Sequence, residues 1–299
     1  MMPHNRSRGV ALITVLMVVA LVAILGTEMV MRLQLQVQRT SNVKDSNQAY
    51  WYALGAEQYA RKSIEFLLEQ SDGVIHLDQP WSQEFLYPLE NGGIQAQLED
   101  MQSCFNLNAL ANNINQDEQN TSTPTTAEME AFFRLLETPD LIEGMDNFTA
   151  ETVRDSLADW LDNDDRIRSY GAEDVDYESL ANPYLSANTL MYNKSEFRLV
   201  NGVSAEWINY LMPLICARPN DTRMQINVNT ITEELAPVLA AATGLENEQA
   251  RRLIAGRPNG GYETAEQFLS EPDITALTLE QSQANWFAVT TQYFILYTK

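Results

Sequence analysis

One stretch of the sequence is dense enough in carboxylates to bind a hard cation. Between residues 155 and 176, acids stand at the end of a predicted helix, in the following loop and in a returning segment. The candidate ligands are Asp159, Asp162, Asp164, Asp165, Glu173, Asp174 and Asp176. Ca²⁺ takes about six to eight oxygen ligands and favours carboxylates on a loop. Because so many like charges would repel one another without a cation, we expect bound Ca²⁺, with a solvated acidic loop as the alternative.

The spacing of these acids is not that of an EF-hand. Asp162, Asp164 and Glu173 match the first, third and twelfth positions of the EF-hand loop. Ile167 stands at the sixth position, where that loop needs a glycine for its sharp turn. The acids therefore indicate a calcium site of another kind.

Catalytic chemistry is not indicated elsewhere in the chain. His4 lies near the N-terminus and His76 in a predicted turn. Neither Cys104 nor Cys216 has a recognisable histidine partner for nucleophilic catalysis. The net charge of −22, from 41 acids against 19 bases, disfavours contact with phosphate backbones. We therefore expect neither an enzyme nor a nucleic-acid-binding protein.

An almost unbroken apolar run near the N-terminus is the strongest structural signal. Residues 9–25 follow Arg6 and Arg8 and approach the roughly 20 residues that cross a bilayer as a helix. The helical pattern continues, so that a helix over 10–70 would be about 90 Å long. We expect its first half to lie in lipid. Its second half should pack an aromatic stripe, including Tyr50, Trp51 and Tyr52, on a globular head.

A cleaved signal peptide and a plain membrane anchor are alternatives for the apolar run. No small-x-small cleavage site follows Leu25, which disfavours the signal peptide. The change in character comes before the run, at Arg8, Gly9 and Val10. This junction resembles the leader junction of type IV pilin-like proteins. The resemblance implies cleavage between Gly9 and Val10 by a prepilin peptidase, followed by N-methylation of Val10.

Thr14 occupies the fifth position after the expected cleavage site. Most members of the pilin-like family carry glutamate there, and that acid neutralises the N-terminal amine of a neighbouring subunit in the apolar filament core. A threonine costs little in that setting, because its hydroxyl can bond to a carbonyl one turn earlier. It cannot neutralise an amine. The resemblance therefore implies that a subunit with Thr14 suits the filament tip, where no subunit lies beyond it.

The 299 residues allow two domains, or one domain with a large insertion. The predicted organisation is a leader over 1–9, a transmembrane helix over 10–70, a first sheet segment over 71–109, a mainly α-helical insert over 110–222, and a second sheet segment with a helical pair over 223–299.

An apolar-Asn-apolar-Asn step occurs twice, at 105–108 and at 226–230, and we expect these segments to be neighbouring strands. Cys104 lies beside the first segment and Cys216 upstream of the second. In an oxidising compartment such as the periplasm, two cysteines usually pair. The Cys104–Cys216 pair is therefore a disulfide candidate, conditional on export.

The acidic segment also follows a marker pattern of Asp-Trp-aliphatic-Asp-x-Asp, then Gly-Ala-Glu and a downstream tyrosine. The residues are Asp159, Trp160, Leu161, Asp162, Asp164, Gly171, Ala172, Glu173 and Tyr177. Together with the Gly9 junction and the segments 105–108 and 226–230, this pattern resembles the minor pseudopilin K family of type II secretion systems. The resemblance covers nearly the whole chain.

The resemblance implies an α+β fold, in which a long N-terminal transmembrane helix packs on a small antiparallel pseudopilin sheet with a large, mainly α-helical insert that binds Ca²⁺. It implies a single-pass inner-membrane protein with a periplasmic C-terminal domain. Such a subunit primes the pseudopilus and caps its tip together with the minor pseudopilins I and J, above the major pseudopilin filament. Its work supports export of folded proteins across the outer membrane.

Two other functions share parts of the pattern. A minor pilin of a type IV pilus would share the junction at Gly9 but not the acidic segment. The segment 226–269 resembles the helix-hairpin-helix of membrane-anchored DNA-uptake proteins. That motif needs closely spaced glycines at the phosphate, and Glu246 stands where a second glycine after Gly244 would help. A helical pair packed on the sheet is therefore the favoured interpretation of this segment.

Overall fold

The computed structural model describes residues 8–89, 92–111, 125–139 and 141–299. The chain divides into two compact units, Met1–Tyr59 and Ala60–Lys299. Most of the expected leader, and residues 112–124 of the expected insert, lie outside the described residues.

A long helix, α1, runs over Arg8–Gln70 without a break. From Val10 onward it is long and apolar enough to cross a membrane, by length and composition. The hydroxyl of Thr14 donates to the carbonyl oxygen of Ala11 at 2.9 Å. This bond satisfies the hydroxyl inside the helix, so Thr14 brings no unsatisfied polar group into an apolar environment.

Short strands and helices make up the unit Ala60–Lys299. The strands are β1 (Phe85–Leu89), β2 (Gly92–Asp100), β3 (Phe105–Asn106), β4 (Ile215–Cys216), β5 (Ile226–Asn227), β6 (Phe287–Ala288) and β7 (Phe294–Thr298). The helices after α1 are α2 (Ala127–Leu136), α3 (Asn147–Leu161), α4 (Asp174–Glu178), α5 (Ile208–Leu211), α6 (Ala236–Thr243), α7 (Asn247–Ala255), α8 (Ala265–Leu269), α9 (Pro272–Thr275) and α10 (Gln281–Ala284). Short 3₁₀ helices span Pro80–Ser82, Leu107–Ala111, Lys194–Leu199 and Glu233–Leu235.

The strands β1, β2 and β7 form a small antiparallel sheet with β2 in the centre. Tyr87 lies opposite Ile94 in the first pair, and Leu98 lies opposite Leu296 in the second. Along β2, more buried and more exposed residues alternate, which confirms the predicted half-buried strand.

The last turns of α1 pack on this sheet. Ile64 is buried against Ile75 and Trp81, and Leu98 of β2 lies at the edge of the same cluster. Leu67 also packs there, one turn after Ile64, so one stripe of the helix makes the contact. The predicted α+β fold, with a long helix and a small antiparallel sheet, is confirmed.

The expectation that the aromatic stripe of α1 lies in the core is wrong. Tyr50 and Trp51 are exposed over 63% and 65% of their surface, and Phe66 over 59%. Three consecutive helical residues point about 100° apart, so they cannot share one buried face. The sheet has strands of nine residues at most, and it accommodates only the stripe that contains Ile64 and Leu67.

The two asparagine-containing segments are not neighbouring strands, contrary to expectation. The strand β3 pairs in parallel with β4, and β5 pairs in parallel with β6. Asparagine side chains explain why the segments stay short. The Asn106 amide donates to the carbonyl oxygen of Asp221, and the Asn227 amide donates to that of Ile75. These side chains bond directly to the backbone of other segments. In a longer strand, a ladder of backbone hydrogen bonds would make such connections.

The larger hydrophobic core crosses the boundary that was predicted at residue 222. Phe132 of α2, Leu157 of α3 and Leu239 of α6 belong to one continuous buried cluster. The Arg134 side chain on α2 donates to the carbonyl oxygen of Ala241 on α6 at 2.9 Å. The helical insert and the later helical pair therefore share a core, and the sheet has a smaller core of its own.

A buried carboxylate, Asp100, ties the end of β2 to the region around β5. It accepts hydrogen bonds from the Gln102 backbone at 2.6 Å, the Thr230 hydroxyl at 2.6 Å and the Asn227 amide at 3.1 Å. Burial raises the pKa of the Asp100 carboxyl above its ordinary value, and these donors oppose the rise.

We expect Asp100→Asn to change the pH dependence of stability. Because the folded-state pKa lies above the unfolded one, the native state holds a proton that the unfolded state releases. The wild-type protein should lose stability relative to Asp100→Asn as pH rises from about 4 through the folded pKa. Unfolding free energies of both proteins, measured across this range, give the difference. A difference with the opposite slope would refute the raised pKa.

Candidate functional site

The acidic segment begins at the C-terminal end of α3. Asp146 caps the start of this helix by accepting a hydrogen bond from the Thr149 backbone at 2.7 Å. Asp162 is the C-cap residue, so Asp159 and Asp162 sit one turn apart at the end of the helix. Carboxylates are unfavourable there, because the helix dipole already places negative charge at that end. This pair therefore needs a cation close by.

Arg168 supplies a cation from within the chain. Its Nε lies 3.1 Å from Oδ1 of Asp159, and its Nη2 lies 3.5 Å from Oδ2 of Asp162. Its backbone N–H also donates to Oδ2 of Asp159 at 3.1 Å. All three residues are buried. The guanidinium therefore neutralises two of the predicted ligands.

Asp164 is paired with a second arginine. Its Oδ1 accepts hydrogen bonds from the Arg166 backbone at 2.9 Å and from Nε of the same residue at 3.1 Å, and its Oδ2 accepts one from Nη2 at 2.8 Å. These hydrogen bonds lower the pKa of the Asp164 carboxyl. Arg166 and Arg168 therefore supply part of the positive charge that the repulsion between the acids calls for.

The returning acids surround the start of α4. The Glu173 and Asp176 side chains form a reciprocal capping box there. Asp174 accepts hydrogen bonds from the Ser186 backbone at 2.9 Å and from its hydroxyl at 2.7 Å, and that hydroxyl lies 3.1 Å from Glu173. Asp176 therefore has a local structural role, whereas Glu173 and Asp174 share Ser186.

Asp165 lies near these acids on the preceding loop. It accepts a hydrogen bond from the Asn188 amide at 3.3 Å. Asn188 has a left-handed backbone, with φ of 45°. Among the described residues, no partner reaches the buried Oδ1 of Asn188 or the buried Oε1 of Glu173. These two oxygens are unsatisfied acceptors of the kind that a hard cation binds.

Burial and mutual repulsion perturb the acids of this segment. Burial is the largest cause, and it raises the pKa of Asp159 to about 8, of Asp162 to about 6 and of Glu173 to about 7. The carboxylates of Asp162, Asp165 and Asp174 further raise the pKa of Glu173. The ionised cluster is therefore short of positive charge around Glu173, despite the two arginines.

The fit to a calcium ion is partial. Within the described ranges, no three His, Cys, Asp or Glu side chains converge closely enough to hold a metal. The donor set around Glu173 is nonetheless all oxygen and contains two unsatisfied acceptors, which suits Ca²⁺. Sequence reasoning missed Arg168, Ser186 and Asn188. None of these three residues belongs to a periodic pattern, although Arg166 and Arg168 do stand between the acids in the sequence.

Tight packing holds the segment in place. A Cβ atom at Gly171 would lie 1.8 Å from Oδ2 of Asp159, so only glycine fits there. The rings of Trp160, Tyr177 and Tyr184 pack against one another at centroid distances of 5.3 to 6.3 Å. The Gly-Ala-Glu and tyrosine positions of the marker pattern thus have structural roles.

A disulfide joins Cys104 and Cys216, with a Cα–Cα distance of 5.8 Å. It lies beside the β3–β4 pair, and Cys216 is itself the β4 partner of Asn106. The disulfide therefore holds together the two ends of the 104–216 segment.

The segment that suggested a helix-hairpin-helix uses its polar groups internally. The Arg257 guanidinium donates to the carbonyl oxygens of Val228 and Ile231 at 2.9 and 3.0 Å. The Asn229 side chain bonds to Tyr262 through both its amide and its carbonyl oxygen. These residues join the helical pair to β5, which agrees with the structural interpretation.

Comparisons with known proteins identify the family. Residues 103–220 and 226–290 match the family described as type II secretion system (T2SS), protein K. The type II secretion system protein K of Aeromonas hydrophila is 35% identical over 268 residues, covering 86% of this chain and 78% of the relative. That of Klebsiella pneumoniae is 34% identical over 295 residues, covering 98% and 87%.

A solved structure agrees with these relatives. It is the crystal structure of the GspK-GspI-GspJ complex from the type 2 secretion system of enterotoxigenic Escherichia coli. The matched chain is 32% identical, with a TM-score of 0.75, and the match covers 87% of this chain and 88% of the other. The chain therefore belongs to the protein K family of the type II secretion system.

Proposed function

We propose that this minor pseudopilin primes the periplasmic pseudopilus and caps its tip, supporting export of folded proteins across the outer membrane. The observation that carries the proposal is Thr14, whose hydroxyl is bonded to Ala11 and brings no charge for a neighbour's amine. A subunit of this kind suits a position with no subunit above it. The role is one of assembly, without catalysis.

The proposed partners follow from the family. The related structure is a complex of GspK with GspI and GspJ, so the minor pseudopilins I and J are the proposed neighbours at the tip, with the major pseudopilin filament below. The apolar part of α1 anchors the protein in the inner membrane by a single pass, with the Ala60–Lys299 unit in the periplasm.

Labelling of isolated pseudopili tests the tip position. An epitope at Lys299 should be found by immunogold only at one filament end. Thr14→Glu restores the acid that lets a subunit accept a neighbour above it, and we expect this variant also to appear along the shaft. Wild-type label along the shaft would contradict the capping role.

Cleavage of the leader is tested on protein extracted from the membranes of the expressing cells. We propose that a prepilin peptidase cuts between Gly9 and Val10 and methylates Val10. The intact mass should correspond to residues 10–299 plus one methyl group, and N-terminal sequencing should begin at N-methylvaline. A mature protein that retains residues 1–9 would exclude this route of assembly.

We also propose that Asp165, Glu173 and Asp174, which do not converge closely enough in the described structure, draw together around a structural Ca²⁺ with the Asn188 carbonyl oxygen. When bound, the ion supplies positive charge to oxygens that lack a partner in the described chain. Glu173 supplies a buried oxygen, and Ser186 orients Glu173 and Asp174.

Chelation should lower the stability of the protein. At a calcium concentration of about 100 times Kd, removal of the ion costs about 2.7 kcal/mol. Thermal unfolding with calcium and with chelator measures the loss, and Glu173→Gln should abolish the difference. Asp164→Asn is the matched control, because Arg166 already pairs with that acid, and it should keep the full calcium effect. An unchanged unfolding temperature in chelator would refute a structural ion.

A further inference from the structure

A positively charged segment follows the apolar part of α1. Between residues 29 and 44 the helix has three bases, Arg32, Arg39 and Lys44, and no acid, although the whole chain has 41 acids against 19 bases. All three side chains are exposed. Bases are normally scarce beside the end of a membrane span that faces away from the cytoplasm. Three bases on the side that the proposed function places in the periplasm therefore need an explanation.

The three bases differ in their partners. Nη2 of Arg32 lies 2.7 Å from Oε1 of Glu28, which precedes it by one turn on the same side of the helix. This arginine is therefore neutralised within α1. Within the part of the chain that the structure describes, no side chain pairs with Arg39 or Lys44. Two exposed cations thus remain for a ligand outside the chain.

The rise of the helix places Arg39 and Lys44 at different levels. With the apolar run entering the bilayer at Val10, a hydrocarbon core of about 30 Å ends near Val30, because each helical residue advances about 1.5 Å. The headgroup layer adds about 5 to 8 Å. The backbone of Arg39 then lies about 44 Å from Val10, and that of Lys44 about 51 Å. Both backbones are therefore outside the headgroup layer.

The direction of helical side chains brings Arg39 back to the headgroups. Long side chains on a helix lean toward its N-terminus, which here is the direction of the membrane. A reach of roughly 6 Å returns the guanidinium of Arg39 to the outer part of the headgroup layer. The ammonium of Lys44 stops about 7 Å further out. A helix tilt of about 20° lowers both levels by only about 3 Å, so the difference between them remains.

A phosphate suits the position of Arg39. The guanidinium is always charged, and its parallel donors match phosphate oxygens. Gln36 lies one turn nearer the membrane on the same side of the helix, and its exposed amide can donate a further hydrogen bond. An acidic side chain of another protein is the rival ligand. Anionic phospholipids are favoured, because their phosphates lie at the level that the Arg39 side chain reaches.

We propose that Arg39, assisted by Gln36, binds the phosphate of an anionic phospholipid in the periplasmic leaflet of the inner membrane. The inference rests on the proposed function, which places the apolar part of α1 in that membrane and the residues after it in the periplasm. The contact fixes the depth of α1 while the subunit is in the membrane. It must break before the helix leaves the bilayer for the filament.

Lipid retention by the full-length protein tests the proposal. The protein is reconstituted into vesicles with equal amounts of phosphatidylglycerol and phosphatidylcholine, and native mass spectrometry counts the lipids that stay bound. We expect phosphatidylglycerol in excess on the wild type. The excess should fall about fivefold in Arg39→Gln, which is the factor for one base at a membrane surface. Glutamine is a good helix former, so the variant should keep α1 intact.

Two further variants separate a lipid site from general charge attraction. Arg39→Lys keeps the charge and should keep most of the phosphatidylglycerol excess. Lys44→Gln is the matched control, since it removes an exposed and unpaired cation further from the membrane, and it should behave as the wild type.

The alternatives give different results. An unchanged excess in Arg39→Gln, an equal loss in Lys44→Gln, or displacement of the bound lipid by inorganic phosphate would overturn the lipid site. An acidic protein that copurifies with the wild type and is lost from Arg39→Gln, without a change in lipid, would assign Arg39 to a protein contact instead. Wild-type protein that fails to float with the vesicles would refute the proposed membrane anchor. Flotation without an excess of phosphatidylglycerol would refute only the lipid site.

Discussion

Replacing both Cys104 and Cys216 by serine should lower the free energy of unfolding by about 4 to 5 kcal/mol. The disulfide joins residues 112 positions apart, and a crosslink across so long a loop restricts the unfolded chain strongly. It also lies where β3 and β4 pair over only two residues each, so few backbone hydrogen bonds hold this junction. We therefore expect the loss of this disulfide to destabilise the protein strongly.

Urea unfolding of the wild type with and without reductant, and of the double serine variant, measures this effect. Reductant should lower the wild-type midpoint to that of the double variant and leave the variant unchanged. Each single serine variant should match the double variant within about 1 kcal/mol, because either one breaks the bond. A double variant as stable as the oxidised wild type would show that the disulfide does not contribute to the free energy of unfolding.

Arg168→Met should cost about 3 to 5 kcal/mol at a pH above the raised pKa of Asp159, where it leaves the ionised Asp159 and Asp162 buried without their cation. Methionine keeps much of the side-chain volume, so the loss reports charge rather than a cavity. Arg166→Met is the matched control. The Arg166 side chain is more than half exposed, and an exposed ion pair of this kind contributes about 0 to 1 kcal/mol.

A double-mutant cycle separates charge from packing at Arg168. Adding Asp159→Asn to Arg168→Met should recover part of the stability, because one of the two unpaired carboxylates is then gone. The same Asp159→Asn change in the wild-type background should destabilise, since it removes a partner of Arg168. Strictly additive effects of the two substitutions would mean that the pair does not interact.

Elements with a strong apolar period could be predicted from the sequence, whereas strand pairs of two residues could not. The long helix, the half-buried strand β2 and the helices α2 and α3 have repeating apolar positions that the sequence displays directly. The pairs β3–β4 and β5–β6 are two residues long, too short for any period. The repeated asparagines suggested that 105–108 and 226–230 are neighbouring strands. The pattern contains no information that the asparagine amides bond to the backbone of other segments.

The sequence shows which acids belong to the candidate site but not how they pair, and a metal at this site stays a prediction. The charges of the acids do not reveal which of them Arg166 and Arg168 neutralise. Ser186 and Asn188 come from a later loop, and contacts at such separation depend on tertiary structure. The unsatisfied oxygens around Glu173 emerge only from the folded arrangement.

The strand order has a consequence for biogenesis. The central strand β2 is completed by β7, so Asp100 pairs with Phe294, about 190 residues later in the chain. During synthesis and translocation, β1 and β2 can form a hairpin, but the third strand does not exist until residues 294–298 have emerged. A nascent chain therefore cannot present a finished pseudopilin surface.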